Sequence, residues 1–366
     1  LNIILPLGIS FYTFQTISYT VDVYRRFIKP ERDFVLYACY VTFFPQLVAG
    51  PVLRAGEIIH QFANRTEYSS THIFTGLRRI IYGLFLKVVI ADNIAPFVDS
   101  GYSMSTETMS ALDVWTLAFL FGFQIYFDFS AYSHIALGSA RMIGIIFPEN
   151  FNFPYLASSP RDFWRRWHIS LSSWIRDYLY LPLARVKVEN RSLGGLALAT
   201  TEKKHTKALY LSWAIMGLWH GANWTFVLWG VFHSIIISCY RIVEPYTRET
   251  NRHISKFTGI LFTLPLMMLA WIPFRAESIT MSLVMWGKVI NPFEYTWLGM
   301  RENTYLITAS ILICIIATYI VTQNILPKIN MSNTIFKIAD IISIGVMVAL
   351  VIIFLRPINQ FIYFQF

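Results

Sequence analysis

Long runs without charge constrain this chain more than any other feature. The stretch "TYLITASILICIIATYIVT" (residues 304–322) has no charged residue and matches the roughly 20 residues that an α-helix needs to cross a bilayer. Runs of the same kind occupy residues 224–240, 259–274 and 341–355. A soluble core does not need so many separate apolar segments, so the sequence predicts an all-α, polytopic transmembrane protein.

Charge and cysteine content narrow the class further. Only 14% of the residues are charged, whereas an average soluble domain has about one quarter. The net charge of +9 fits lysine and arginine that collect in cytoplasmic loops and at lipid headgroups. No basic arm or nucleic-acid motif is present, so the expected partner is the lipid bilayer and not nucleic acid. Cys39, Cys239 and Cys314 lack metal-type spacing, and we predict them to be small buried residues.

The distribution of lysine and arginine predicts how the first spans are oriented. Residues 88–140 contain neither, while Lys87 precedes this interval and Arg141 follows it. Because basic residues favour the cytoplasmic side, we predict one span over residues 75–95, an acidic outer loop, and a second, long span over residues 111–143.

The segment over residues 34–54 breaks this alternation, because the basic loops on either side of it should both be cytoplasmic. Pro45, Gly50 and Pro51 interrupt its helix midway. We therefore predict a re-entrant segment that enters the membrane and returns on the same side. Broken backbone at membrane depth is tolerated where it is packed in protein or lines a wet cavity, so we also expect an enclosed cavity.

Two histidines are the foremost candidates for chemistry. His220 ends an apolar span in "MGLWHGANW", and His168 lies in "RRWHISLSSWIRDYLY". A neutral imidazole can take a proton from an alcohol near pH 7, and ionisable residues in spans are functional candidates by default. The structural alternative is a histidine that caps a helix end at the level of the lipid headgroups.

Two further charged features have both a structural and a functional interpretation. Asp128 is a carboxylate near the middle of a span, and we expect it to pair with a histidine or arginine, either as a polar knot or in catalysis. Residues 161–191 are basic and rich in tryptophan and tyrosine. They predict an element in the membrane interface, which could also gather an anionic, phosphate-bearing donor from the cytoplasm.

Five motifs follow one another along the chain: "LPLGISFYTFQTISYTVDVYRR", "FFPQLVAGPVLR", "YFDFSAYS", "FWRRWHISLSSWIRDYLY" and "GLWHGANWTFVLWGVFH". Together they resemble the membrane-bound O-acyltransferase (MBOAT) family, and more narrowly its bacterial branch of polysaccharide O-acetylases that includes alginate O-acetylation. The resemblance extends from Leu1 to about His233, with a later echo in "WIPFRAES" and "FIYFQF".

The resemblance implies a fold and a location. We expect about nine spans, a re-entrant segment and interfacial helices around a tunnel through the membrane, all in a single domain over residues 1–366. Further N-terminal spans are expected to precede residue 1. The expected location is the bacterial cytoplasmic (inner) membrane.

The resemblance also implies an activity. An acetyl group would pass from a cytoplasmic donor, acetyl-CoA, through the membrane for O-acetylation of an extracytoplasmic polysaccharide such as alginate or peptidoglycan. Acetyl-CoA is expected as a substrate, with no bound cofactor and no metal. The expected partners are periplasmic acetyltransferase or acyl-relay proteins, with the polysaccharide acceptor reached indirectly.

Specific residues follow from the same resemblance. The family's essential histidine falls on His220, the expected general base, and its second position falls on His168, expected to orient the thioester or stabilise the oxyanion. Two departures weaken any role at the third motif: where the branch usually shows "FDFSGYSD", this chain has Ala131 and His134. The residues predicted to bind the donor are Arg165, Arg166, Trp167, Arg176, Asp177, Trp219, Asn223 and Asp128.

Two alternatives remain open at this point. The first is D-alanyl transfer to teichoic acid, which belongs to the same family but uses another acyl group. The second is a transporter that moves acylated glycans without chemistry; internal inverted repeats would support it, and none is visible in the sequence.

Overall fold

The computed structural model describes residues 8–47, 50–64, 69–186, 205–249, 256–321, 333–357 and 361. Within these ranges the chain is helical and contains no β-strand. The α-helices are α1 (Ile9–Tyr24), α2 (Phe34–Thr42), α3 (Ala55–Ala63), α4 (Ser70–Leu84), α5 (Asp92–Tyr102), α6 (Ala111–Met142), α7 (Pro160–Trp164), α8 (Ile169–Trp174), α9 (Leu181–Leu183), α10 (Thr206–His220), α11 (Trp224–Glu249), α12 (Lys256–Arg275), α13 (Ile279–Ile290), α14 (Glu302–Ile320) and α15 (Asn333–Phe354). Two π-helical segments, Phe85–Ala91 and Ile175–Tyr180, continue α4 into α5 and α8 into α9.

Helix α6 is the centre of the fold. Its most apolar stretch is 72% buried by protein, against 33% to 50% for the other long apolar helices. It contacts α4, α5, α12, α13 and α14. Ser110 and Asp113 begin the helix with a capping box, in which each side chain accepts a hydrogen bond from the other's backbone N–H.

Glycines allow α4 and α6 to approach backbone to backbone. A Cβ atom on Gly76 would lie 2.6 Å from the carbonyl oxygen of Gly138, and a Cβ on Gly138 would lie 2.6 Å from that of Gly76. Two helical turns further along α4, a Cβ atom on Gly83 would lie similarly close to the carbonyl oxygen of Ala131. Small residues at these positions let membrane helices pack closely.

The structure confirms a helical membrane protein. Four stretches in the described part of the chain are long and apolar enough to cross a bilayer, and they are Ser70–Tyr102, Ala111–Met142, Trp224–Pro245 and Lys256–Arg275. Three shorter apolar helices are Ile279–Ile290, Glu302–Thr318 and Ile338–Phe354. The total of nine spans stays a prediction.

The span predicted over residues 75–95 is longer than expected. It belongs to the continuous stretch Ser70–Tyr102, and Lys87 lies inside it with only 3% of its side chain exposed. Lys87 therefore does not mark the end of the span, and the predicted orientation of the chain stays a prediction. Its ammonium is neutralised by carboxylates within the protein, so it carries no information about the headgroup region.

The segment predicted to be re-entrant is short and broken. Helix α2 has nine residues, far fewer than a bilayer crossing needs, and it ends where Phe43 adopts an extended conformation before Pro45. The chain then turns through residues 44–47, and residues 51–54, which precede α3, are not helical. This shape suits a re-entrant segment, while the side on which it enters stays a prediction.

Helix α13 lies between α12 and α14, and Ser278 begins it by accepting a hydrogen bond from the N–H of Met281. The structure corrects one expectation from the sequence, that of buried cysteines. Cys39, Cys239 and Cys314 are free and exposed rather than buried. Each lies on a helix face that the rest of the protein leaves uncovered, because apolar residues in a membrane protein also face outward to lipid.

Candidate functional site

The tryptophans of the stretch from α7 to α9 pack inside the protein. Trp164, Trp167 and Trp174 expose 9% or less of their area and belong to the main hydrophobic core. Trp167 stacks on Phe163 with ring centroids 5.6 Å apart. These tryptophans therefore pack within the protein and do not face lipid headgroups, while the position of the element in the membrane interface stays a prediction.

His168 begins α8 in an unusual backbone conformation. Its φ of 41° and ψ of 56° are left-handed, which costs a residue other than glycine about 1–2 kcal/mol. Asn150 stabilises this geometry, because its carbonyl oxygen accepts the N–H of Ile169 at 2.9 Å and its Oδ1 accepts the N–H of Ser170 at 3.2 Å. The first two N–H groups of α8 are thus bound by a residue from outside the helix.

The His168 ring is buried and held on several sides. It is 1% exposed, and its Nδ1 lies 3.2 Å from Asn150 Oδ1. The Phe129 ring meets it edge-on at 4.7 Å between centroids, and Phe151 stacks at 6.4 Å. Sequence reasoning missed Asn150; its one signal was an amide side chain between aromatic residues just upstream of the "RRWHISL" motif.

His220 ends α10 among aromatic rings. It is 8% exposed, and its ring centroid lies 4.8 Å from that of Trp219 and 5.0 Å from those of Trp229 and Phe274. A Cβ atom on Gly217 would lie 2.2 Å from a backbone oxygen of α11, so α10 and α11 cross closely at this point. The glycine therefore brings the end of α10 against the aromatic face of α11.

A series of aromatic ring contacts runs from one histidine to the other. Phe151 stacks on His168 and lies 5.2 Å from Trp167, Trp167 lies 4.8 Å from Trp271, Trp271 lies 5.5 Å from Phe274, and Phe274 contacts His220. Burial, and secondly the electrostatic effect of His220, hold the pKa of His168 well below 6.5. His168 is therefore a neutral imidazole at neutral pH, the form that accepts protons.

Three charged residues form what we call the Asp177 cluster: Asp177, Arg54 and Arg176. Asp177 lies on the second π-helical segment and is 2% exposed. Its carboxylate accepts Arg54 at 2.7 Å and Arg176 Nε at 2.7 Å. The next residue, Tyr178, donates its hydroxyl to Asp22 at 2.7 Å. Arg54 thus connects the segment predicted to be re-entrant to the motif that carries His168, and Tyr178 connects α1 to the same motif.

Asp128 belongs to a second group, which we call the Lys87 cluster: Lys87, Asp92 and Asp128. Lys87 Nζ lies 2.7 Å from Asp128 and 2.8 Å from Asp92. The expected partner was a histidine or arginine, and the structure shows a lysine instead. The ion pair joins α6 to the first π-helical segment, which accounts for Asp128 structurally; a role in donor binding stays a prediction.

The remaining predicted binding residues lie in different environments. Arg165 is exposed, while Arg166 Nε is 2.8 Å from Asp162. Trp219 is half-buried and packs on Phe14 at 5.2 Å. Asn223 is exposed and accepts the N–H of Thr225, so it begins α11. Of the predicted donor-binding set, Arg165, Arg166 and Trp167 directly precede His168 in the chain, and the binding role of every member stays a prediction.

His134 occupies the position where the branch usually has an acid. Its Nδ1 accepts a hydrogen bond from Arg79 Nε at 3.1 Å, and Arg79 also pairs with Glu149. The Tyr82 ring meets His134 edge-on. A histidine can thus take the place of an acid here because Arg79 already has the carboxylate of Glu149 as its partner.

The two best-defined cavities lie away from both histidines, and no metal-binding group is found in the described ranges. Two open cavities of about 430 and 420 Å³ adjoin each other between the loop after α5 and helix α13. Neither is lined by His168 or His220. Among the residues that the structure describes, no group of three or more His, Cys, Asp or Glu could hold a metal ion.

Comparison with known proteins identifies the family. The model of MBOAT, the membrane-bound O-acyltransferase family, matches residues 29–286. The chain is 39% identical over 330 residues to the probable alginate O-acetylase AlgI of Azotobacter vinelandii, covering 88% of this chain and 62% of that protein. It is 37% identical over 334 residues to the peptidoglycan O-acetyltransferase of Helicobacter pylori, covering 84% and 61%.

A more distant relative uses another acyl group. The chain is 27% identical over 259 residues to the teichoic acid D-alanyltransferase of Bacillus subtilis, covering 68% of this chain and 62% of that protein. The chain thus spans about three fifths of the length of these relatives. It belongs to the membrane-bound O-acyltransferase family.

Proposed function

We propose that this protein is a membrane O-acyltransferase that passes an acetyl group from acetyl-CoA, on the cytoplasmic side, across the membrane for O-acetylation of an extracytoplasmic polysaccharide. The observation that carries the proposal is the pair of buried histidines, His168 and His220, linked through packed aromatic rings, in a chain that belongs to an acyltransferase family. Alginate and peptidoglycan are the acceptor classes named for its relatives.

The proposed chemistry needs a base, a thioester and a hydroxyl in one site. His220 takes the proton of the acceptor hydroxyl while the hydroxyl oxygen bonds to the thioester carbon. The carbon–sulfur bond then breaks, and the imidazolium returns the proton to the leaving thiolate. His168 orients the thioester or stabilises the oxyanion that forms. Holding both reactants in a dry passage supplies orientation, which can account for much of the rate.

Positive charge on the proposed donor side suits a phosphate-bearing substrate. Arg54 and Arg176 share the single carboxylate of Asp177, so this group carries an excess cation next to the motif of His168. Guanidinium groups bind phosphate oxygens through paired, charge-assisted hydrogen bonds. We propose that the 3′-phosphate and diphosphate of acetyl-CoA meet the protein here, together with the exposed Arg165.

The decisive experiment replaces the proposed base. His220→Ala in purified protein in lipid vesicles should lower transfer of radiolabelled acetyl groups from acetyl-CoA at least about 100-fold, the usual contribution of a general base. His60→Ala is the matched control, because His60 is exposed and lies outside the site. Full transfer by the His220 variant, with normal insertion and yield, would refute the role of His220.

D-alanyl transfer is the second candidate function. The relative from Bacillus subtilis supports it through its name, although at lower identity than the O-acetylating relatives. Transfer of radiolabel from a D-alanyl thioester on a carrier protein, and not from acetyl-CoA, would favour D-alanyl transfer. Passage of an acylated glycan without label transfer would instead favour a transporter.

The cellular setting is part of the same proposal. We propose a single membrane domain in the bacterial inner membrane, with periplasmic acetyltransferase or acyl-relay proteins as partners. Relatives from bacteria support the setting. Cell fractionation with an antibody against the protein would test it.

A further inference from the structure

Asn150 lies directly behind His168 and is fixed from two sides. It is 1% exposed. Its Nδ2 donates to Ser133 Oγ of α6 at 3.2 Å, and its Oδ1 accepts the backbone N–H of Ser170 in α8 at 3.2 Å. A backbone N–H can only donate, so this contact determines which end of the amide is the oxygen.

The oxygen of Asn150 faces the His168 ring. His168 Nδ1 lies 3.2 Å from it. Ser170 Oγ is 3.5 Å from the same nitrogen, but it donates its hydrogen to Asn150 Oδ1 at 2.8 Å and accepts the N–H of Val52 at 3.0 Å. A lone pair on Nδ1 would point at a lone pair on oxygen and be repelled, whereas an Nδ1–H group donates to it.

We propose that Asn150 is a positioning residue that fixes neutral His168 with its hydrogen on Nδ1, so that Nε2 presents a lone pair. Asn150 also binds the two backbone N–H groups that follow His168, those of Ile169 and Ser170. An amide oxygen thus does here what the third member of a catalytic triad does for its histidine: it sets the tautomer and the orientation of the ring.

This tautomer selects one of the two roles left open for His168. The inference rests on the proposed function and deepens it. A neutral imidazole with hydrogen on Nδ1 accepts hydrogen bonds at Nε2 and cannot donate there. His168 therefore orients the donor by accepting an N–H of its pantetheine-type arm, and it does not stabilise the oxyanion, which requires a hydrogen on Nε2.

The direct test reads the tautomer in the wild-type protein without substrate. Protein labelled with ¹⁵N-histidine in lipid vesicles is compared by solid-state NMR with the His168→Gln variant, which identifies the His168 signals among the eight histidines. We expect a protonated Nδ1 and an unprotonated Nε2 near pH 7. A protonated Nε2 would overturn the proposal even if acetyl transfer is normal.

Three variants then test the positioning role. Asn150→Leu removes the acceptor and should lower acetyl transfer about 10- to 100-fold, as loss of the group behind a functional histidine commonly does. Asn150→Asp keeps the oxygen and should recover most of the rate. Asn152→Leu is the matched control, because Asn152 is exposed and lies two residues away; it should transfer at the wild-type rate.

The pH profile separates positioning from a merely structural effect. A carboxylate at position 150 favours the imidazolium of His168. The acid-side loss of activity should therefore move to higher pH in Asn150→Asp, because His168 is then protonated at a higher pH than in the wild type. An unchanged profile in Asn150→Asp, or full activity in Asn150→Leu, would contradict the proposal. Absence of transfer in the wild type, with the Nδ1–H tautomer observed, would refute the proposed function and leave the assignment of the tautomer intact.

Discussion

The Lys87 cluster and the Asp177 cluster are built alike and differ in sign and access. Each places a buried charged residue on a π-helical segment, a backbone irregularity that is frequent at functional sites. The Lys87 cluster combines one cation with two carboxylates, and the Asp177 cluster combines one carboxylate with two cations. The first is therefore formally negative and the second formally positive.

The two clusters also differ in how far their cations are exposed. The cation of the Lys87 cluster exposes 3% of its side chain, beside Asp128 at 4% and Asp92 at 21%, whereas the cations of the Asp177 cluster, Arg54 and Arg176, expose 15% and 25%. The closed cluster joins two neighbouring helical stretches in the centre of the fold. The more open cluster keeps guanidinium groups accessible beside the His168 motif. The comparison indicates that the first holds helices together and that the second can also receive an anion.

The largest effect is expected from breaking the closed cluster. Lys87→Met leaves Asp128 buried beside a second carboxylate and should destabilise the protein by about 3 to 5 kcal/mol. Thermal unfolding of the purified protein in detergent measures the loss.

A double variant sharpens this result. Lys87→Met combined with Asp128→Leu removes the buried charge pair together and should recover much of the stability, because apolar residues can replace a buried ion pair. A single Lys87→Met variant that unfolds at the wild-type temperature would show that the cluster does not hold the helices.

An intermediate effect is expected at the open cluster, and on substrate binding rather than on folding. Arg176→Gln should raise KM for acetyl-CoA about 10-fold, because one charge-assisted hydrogen bond contributes roughly 1.5 to 3 kcal/mol. The rate at saturating donor should change little.

Arg301→Gln serves as its control, since Arg301 is an exposed arginine at the start of α14. Equal KM values for wild type and Arg176→Gln would show that the open cluster is as purely structural as the closed one.

The smallest effect is expected at His134, which lies on the same helix pair as the Lys87 cluster but nearer to solvent. His134→Asp replaces a neutral acceptor of Arg79 by a carboxylate. Because Arg79 already pairs with the exposed Glu149, unfolding free energy should change by less than about 1 kcal/mol. A change as large as that of Lys87→Met would show that charge number, and not burial, decides the difference between clusters.

Sequence patterns predicted the features of this molecule that depend on local chemistry. Apolar runs predicted α11, α12, α14 and α15 because hydropathy along a helix is a local property. The histidines emerged because an ionisable residue among apolar neighbours is conspicuous. The tunnel, the donor and the catalytic roles stay predictions.

Contacts between residues far apart in the chain could not be predicted from local patterns. Lys87 looked like a marker of topology, although it is the partner of Asp128, 41 positions away. Asn150 and Arg54 drew no attention, since an amide in a loop and an arginine before a helix are common. Their importance comes from contacts with residues 18 and 123 positions distant, which no window on the sequence reveals.

The glycine contact between α4 and α6 limits how this protein can move during a reaction cycle. With Gly76 and Gly138 touching backbone to backbone, sliding either helix would bring a larger side chain against main-chain atoms. Helices α4 and α6 must therefore move together as one rigid unit. Any rearrangement that admits or releases a substrate has to be made by the elements that surround it.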